Sequence, residues 1–165
     1  TYPDAQSLSR GMRERIAALG QAHSLVSPSG ERFAIDLREL LKTTLAPYIE
    51  HTPIRFDGPD VTIDGRSLSP FALLVHEWAT NSFKYGALGV PGGTLAISWT
   101  VDPEGLELQW SENGRTTQQR DGKAGFGTLL VDTSARQMGA LIERSETESG
   151  YDIRMRLPVE VLSLE

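Results

Sequence analysis

The sequence predicts an α+β fold: a two-layer sandwich with helices on one face of a largely antiparallel sheet. Residues 94–101 and 106–110 alternate in polarity on either side of Asp102-Pro103-Glu104-Gly105, the pattern of a β-hairpin. A second such pair, residues 142–145 and 151–157, flanks Ser149-Gly150. Around these strands lie segments whose apolar residues recur at helical intervals.

Taken in order, residues 4–26 read as one helix, with Leu8, Met12, Ile16, Leu19 and Leu25 on a stripe and Arg and Glu between them. Ser27-Pro28-Ser29-Gly30 breaks it. Phe33 and Ile35 mark a short strand. Asp36 then caps a helix over residues 37–48, with Leu37, Leu40, Leu41 and Leu45 on one face. Residues 54–56 and 61–63 make two short strands, with turns at Asp57-Gly58 and Asp64-Gly65. Ser69 and Pro70 open the next helix as cap and first helical residue. Leu129, Leu130, Ala135 and Met138 predict a helix over residues 128–138, and the polar segment 113–124 before it lacks periodicity. No internal repeat is evident.

Composition narrows the function. The 165 residues suffice for one domain with a core of its own. A net charge of −6 and a pI near 5.1 argue against a nucleic-acid partner held by phosphate attraction. Cysteine is absent, which excludes disulfides and thiolate metal sites and is compatible with a reducing cytoplasm. The three histidines, at 23, 51 and 76, are scattered and argue against a zinc site. No run of about eighteen apolar residues exists, so no membrane contact is expected of this segment. Nor does the N-terminal stretch carry the apolar core of a signal peptide.

The chemistry concentrates in FALLVHEWATNSFKYGAL, residues 71–88. Glu77 and Asn81 are four apart and Lys84 follows three later, so all three share one stripe of a helix. Ala72, Val75, Ala79 and Ser82 form a small-residue side that can pack closely on a sheet. Glu can orient or deprotonate a nucleophile, Asn offers a neutral oxygen to a hard cation, and Lys can meet a phosphate. The same spacing also suits an ordinary solvated face with i,i+4 pairing. Downstream, KAGFGTLL places Gly125 and Gly127 before a helix start, where backbone N–H groups can approach phosphate oxygens. A plain loop has the same signature, and neither a dinucleotide fingerprint nor a GxxxxGK[ST] loop is present.

Together these motifs resemble the HWE group of sensor histidine kinases. HEWATNSFKYGAL is similar to that group's N box, and Trp110-Ser111-Glu112 to its Trp-x-Glu motif. Glu112-Asn113-Gly114 resembles the first glycine box, GFGTLL the second, and YDIRMRLPV the terminal strand. The resemblance spans roughly residues 33–159, with its parts in the expected order. It implies the Bergerat fold of the GHKL ATPases, which is a two-layer α/β sandwich with a mixed, mostly antiparallel sheet. It also implies a protein histidine kinase of bacterial two-component signal transduction, with ATP and Mg²⁺ as cofactors. By that resemblance Asn81 would bind Mg²⁺, and Glu77 would polarise the attacking group, here the acceptor histidine. Lys84 and Tyr85 would face phosphate or ribose, and Glu112 would accept a hydrogen bond from the adenine amine. Gly114 would serve the first glycine turn, and Gly125, Phe126, Gly127, Thr128 and Leu129 would line the phosphate side. His76 would shape the pocket.

One departure stands out. The family's first glycine box usually continues through a Gly-Gly-Pro step, whereas this chain reads Asn113-Gly114-Arg115-Thr116. Residues 113–124 hold Arg115, Arg120 and Lys123 against Asp121, a locally basic stretch that could close over a triphosphate as a lid. RERIAALGQAHSLV resembles the second helix of the family's phosphoacceptor hairpin. The expected organisation is therefore residues 1–29 as that helix and residues 30–165 as the catalytic ATP-binding domain. The acceptor would lie on the hairpin's first helix, not at His23. Expected partners are the hairpin itself, a response regulator in a phosphorelay, and a second copy through residues 4–26. The leftover helix could instead fold back on the domain. Two other readings are a degenerate scaffold that no longer binds ATP, and a serine kinase of anti-sigma type.

Overall fold

The computed structural model describes residues 5–23, 34–114 and 126–163. In chain order the elements are α1 (Ala5–His23), β1 (Ala34–Asp36), α2 (Leu37–Ile49), β2 (Ile54–Asp57), β3 (Thr62–Asp64) and α3 (Leu68–Tyr85). There follow β4 (Thr94–Asp102), β5 (Gly105–Asn113), α4 (Phe126–Met138), β6 (Leu141–Glu146) and β7 (Gly150–Pro158). Five strands form the main sheet in the order β2-β4-β5-β7-β6. Only β2 and β4 run parallel; the other three pairs are antiparallel. β1 and β3 pair in a separate two-stranded ribbon, a division that the short apolar runs do not announce.

Alternation decides which face is inside. Leu95, Ile97 and Trp99 of β4, Leu106, Leu108 and Trp110 of β5, and Ile153, Met155 and Leu157 of β7 are all buried. They merge with the apolar sides of α2, α3 and α4 into one core. On the opposite face, Arg156 of β7 pairs with Asp102 at 2.7 Å and with Glu107 at 3.6 Å. The 94–102/105–113 hairpin turns on Asp102, whose Oδ1 accepts from the N–H groups of Glu104 and Gly105 at 2.8 and 3.1 Å. Gly105 has φ +148°, and a Cβ there would strike the Leu157 carbonyl of β7.

α2 matches its sequence signals. Asp36 accepts from the Glu39 N–H at 2.8 Å, and Leu37, Leu40, Leu41 and Leu45 are fully buried. α3 differs at its start. It begins at Leu68, not at a Ser69 cap, because a 3₁₀ turn over Gly65–Ser67, capped by Asp64 at 2.9 Å, leads straight into it. Pro70 then falls within the first turn, where a missing N–H costs no helical bond. α4 begins at Phe126, two residues early. Its buried positions are Val131, Ser134, Ala135 and Met138, and Leu129 lies off that stripe and is exposed.

α3 is the centre of the helical layer and touches α1, α2 and α4. Of the expected apolar stripe of α1, Leu8, Met12 and Ile16 are exposed, Leu19 is half-buried, and Leu25 lies outside the described residues. The other side of α1, with Gly11, Arg15, Ala18 and Ala22, is the more covered one, and the helix packs on α2 and α3. So α1 folds back on the domain here.

Candidate active site

A cavity of about 440 Å³ opens where α1, α3 and the start of α4 meet the ends of β5, β6 and β7. Glu77, Asn81, Lys84 and Tyr85 enter it from α3, Glu112 from β5, and Gly127 and Thr128 from α4. The helical spacing of four and three is what sends the α3 group to one side. Leucine-rich α2 and the sheet bury the other side of α3, so the polar stripe meets the cavity.

Glu77 is buried despite its charge, at 4% exposure. A buried carboxylate needs a partner, and Arg15 of α1 supplies it, donating from Nε to Oε1 at 2.6 Å. The Arg15 guanidinium also stacks over the Phe126 ring, 5.1 Å from its centroid. Gly127 lies against the other oxygen, so that a Cβ at Gly127 would collide with Glu77 Oε2. Having no side chain, the second glycine of GFG lets the start of α4 pass over the Glu77 carboxylate.

Glu112 is equally committed. Its Oε1 accepts from the Trp110 indole N–H at 2.8 Å and its Oε2 from the Ala87 backbone N–H at 3.0 Å. Residues two apart on a strand share a face, which is why Trp-x-Glu closes this contact. Gly86 follows α3 because a Cβ there would collide with Glu112 Oε2. Each carboxylate oxygen keeps a further acceptor site.

His76 lines the same cavity, and burial pushes its imidazole below the ordinary range, with Glu77 partly opposing and Arg15 reinforcing the shift. The remaining expected residues lie elsewhere. Phe126 and Leu129 are exposed and do not line the cavity. Gly114, at φ +131°, is packed against Val90, Gly93 and Ala87. Of the expected lid over 113–124, Asn113 ends β5 and Gly114 follows it, whereas residues 115–124, Arg115 among them, and Gly125 lie outside the described residues.

Among the described residues no cluster of His, Asp or Glu could hold a metal ion by itself. An ion bound here would draw on the Asn81 carboxamide and on ligand oxygens. That donor set suits Mg²⁺, which keeps waters and takes phosphate oxygens with one or two protein ligands.

A family model described as HWE histidine kinase matches residues 1–60. A blue-light-activated histidine kinase from Erythrobacter litoralis (strain HTCC2594) is 33% identical over 164 residues, which cover 94% of this chain and 45% of that protein. The chain's first 60 residues are thus similar to HWE histidine kinases, and nearly the whole chain is similar to a blue-light-activated histidine kinase. A second blue-light-activated histidine kinase, from Rhizobium johnstonii, is 33% identical over 150 residues, covering 89% of this chain and 43% of the relative. The chain therefore spans less than half the length of either relative.

Among solved structures, the histidine kinase domain of an Erythrobacter litoralis blue-light-activated histidine kinase matches with TM-score 0.71 at 17% identity, over 90% of this chain and 74% of that one. The mycobacterial sensor histidine kinase MprB gives 0.62 at 17%, over 77% and 97%. The ATP binding domain of PrrB from Mycobacterium tuberculosis gives 0.60 at 19%, over 78% and 98%. These establish that the chain has the fold of those histidine kinase domains. Arg15, Gly11, Tyr151 and Arg144 also line the cavity, and sequence reasoning missed them. Nothing in the sequence sets Arg15 apart from Arg10 and Arg13 of the same helix; only the packing of α1 does.

Proposed function

We propose that the chain is the ATP-binding catalytic domain of a two-component sensor histidine kinase. It transfers the γ-phosphate of Mg-ATP to a histidine on a helical hairpin, from which the phosphoryl group passes to a response regulator. The supporting observation is that one cavity is lined by Glu77, Asn81, Lys84, Tyr85, Glu112, Gly127 and Thr128. Residues 1–29 belong to the hairpin and residues 30–165 to the catalytic domain. The outward stripe of Leu8, Met12 and Ile16 is suited to cover by the rest of the hairpin or by a second copy. The domain works in the cytoplasm.

In this reading Lys84 and the backbone at Gly127 and Thr128 meet phosphate oxygens, and α4 brings its N-terminal end to the anion. Glu112 accepts from the adenine amine while its protein donors hold it in place. Glu77 accepts from the N–H of the incoming imidazole and aims the other ring nitrogen at phosphorus. Asn81 holds Mg²⁺, which would neutralise phosphate charge when bound. Positioning and charge complementarity supply most of the acceleration, as in phosphoryl transfer generally.

The test is transfer from γ-labelled ATP in a protein that carries both this chain and the hairpin. Acid-labile, alkali-stable label is expected, and acid-stable label would favour the serine kinase reading instead. One observation favours the degenerate scaffold: Arg15 already occupies Glu77, and Glu112 already has two protein donors. A nucleotide-induced rise in Tm would exclude that scaffold.

A further inference from the structure

Among the described residues two arginines lie over aromatic rings, and they spend their guanidinium groups differently. Arg38 sits 4.9 Å from the Trp99 ring centroid. It donates from Nη1 to the Phe56 carbonyl at 3.2 Å and from Nη2 to the Gly58 carbonyl at 2.6 Å. Arg15, over Phe126, donates only from Nε, to Glu77 Oε1. Its Nη1 and Nη2 have no acceptor among the described residues, and neither is sealed in the interior. Most of this guanidinium's N–H donors are therefore unspent.

The unspent end lies at the cavity. A Cβ built on Gly11 would be 2.9 Å from Nη1, and one built on Gly127 would be 3.8 Å from Nη2. Both glycines line the cavity, as does Arg15 itself. The bond to Glu77 and the Phe126 ring hold the guanidinium in place, while the Arg15 side chain stays 21% exposed. The result is a fixed cation with open donors, set between a carboxylate and the backbone that begins α4.

We propose that Arg15 is a phosphate-contacting residue. It bridges Glu77 and the terminal phosphate of the bound nucleotide, with Nε on the carboxylate and the Nη groups on phosphate oxygens. This rests on the nucleotide reading of the cavity. In that reading Glu77 directs the imidazole at the phosphorus under attack, so the phosphoryl group nearest Glu77 is the terminal one. A carboxylate and a phosphate at such range repel each other. A guanidinium between them relieves the repulsion, and its planar fork matches two phosphate oxygens. Because Arg15 belongs to α1, that helix completes the triphosphate site, and ATP holds α1 on the domain more firmly than ADP does.

The experiment measures calorimetric binding of AMP-PNP and of ADP, each with Mg²⁺, to the chain, to Arg15→Gln, to Glu77→Gln and to the double variant. Arg15→Gln should weaken AMP-PNP about tenfold and leave ADP within about twofold. That variant strands a buried carboxylate, so the decisive comparison is Glu77→Gln against the double variant, where no carboxylate is stranded. There too AMP-PNP should lose about tenfold and ADP should be unaffected. Equal AMP-PNP affinity in those two variants would overturn the inference and leave the nucleotide reading standing. An equal loss for both nucleotides would overturn it as well, because a packing defect spares neither. If the double variant does not fold, amide hydrogen exchange on the unaltered chain decides. AMP-PNP should slow exchange in α1 several-fold more than ADP does, and equal protection would overturn the inference. Failure of the unaltered chain to bind either nucleotide would overturn both the inference and the nucleotide reading.

Discussion

Arg15 Nε on α1 lies 2.6 Å from Glu77 Oε1 on α3, which ties the first helix to the carboxylate at the cavity. The two residues are 62 positions apart, and the acceptor is almost wholly buried. Removing either partner leaves a buried group without its counterpart. Arg15→Met should cost about 1–3 kcal/mol in urea unfolding. In a double-mutant cycle with Glu77→Gln the two changes should couple by about 1 kcal/mol or more. Strict additivity would mean that α1 does not hold this position in solution.

Gly86 carries a steric prediction. A side chain there would push the Glu112 carboxylate off the Ala87 and Trp110 N–H groups. Gly86→Ala should destabilise the fold by about 2–4 kcal/mol, read by thermal unfolding. Adding Glu112→Ala removes the clash and should recover part of that loss. A Gly86→Ala variant as stable as the parent would show that Glu112 does not sit where described.

His76 predicts an acid sensitivity. Burial holds its folded pKa below the unfolded value, so as pH falls the unfolded chain takes up the proton first. The stability held by the neutral imidazole is complete above about pH 6.5 and declines as pH drops below that toward the folded pKa. His76→Gln should flatten this part of the stability–pH curve. Parallel curves for parent and variant would remove His76 as the source.

Asn81 and Glu77 separate binding from chemistry. Asn81→Ala should abolish Mg²⁺-dependent binding of an ATP analogue while the circular dichroism spectrum stays unchanged. Unaltered affinity would sink the metal assignment. Glu77→Gln should spare nucleotide binding and slow transfer in a protein that includes the hairpin; normal transfer would take Glu77 out of the mechanism.

What the sequence revealed was local. The Asp36 cap, the leucine face of α2, both hairpins and the shared side of Glu77, Asn81 and Lys84 follow from periods of 3.6 and 2 within a dozen residues. What it hid depends on distant partners. Nothing near Arg15 announces Glu77, and Gly86 reads as a simple helix end although Glu112, from another element, makes the demand. The β1–β3 ribbon and the parallel β2–β4 pair arise from pairings across long stretches of chain, which leave no periodic mark. Leu129 shows the opposite failure. Its type fits a core, but its angular position on α4 turns it to solvent.

The most direct test of the central claim is calorimetric titration of this chain with a non-hydrolysable ATP analogue, with and without Mg²⁺. The account predicts saturable binding near one site per chain that Mg²⁺ strengthens. Absence of binding up to millimolar analogue would contradict it and leave the cavity to a scaffold that has lost its nucleotide.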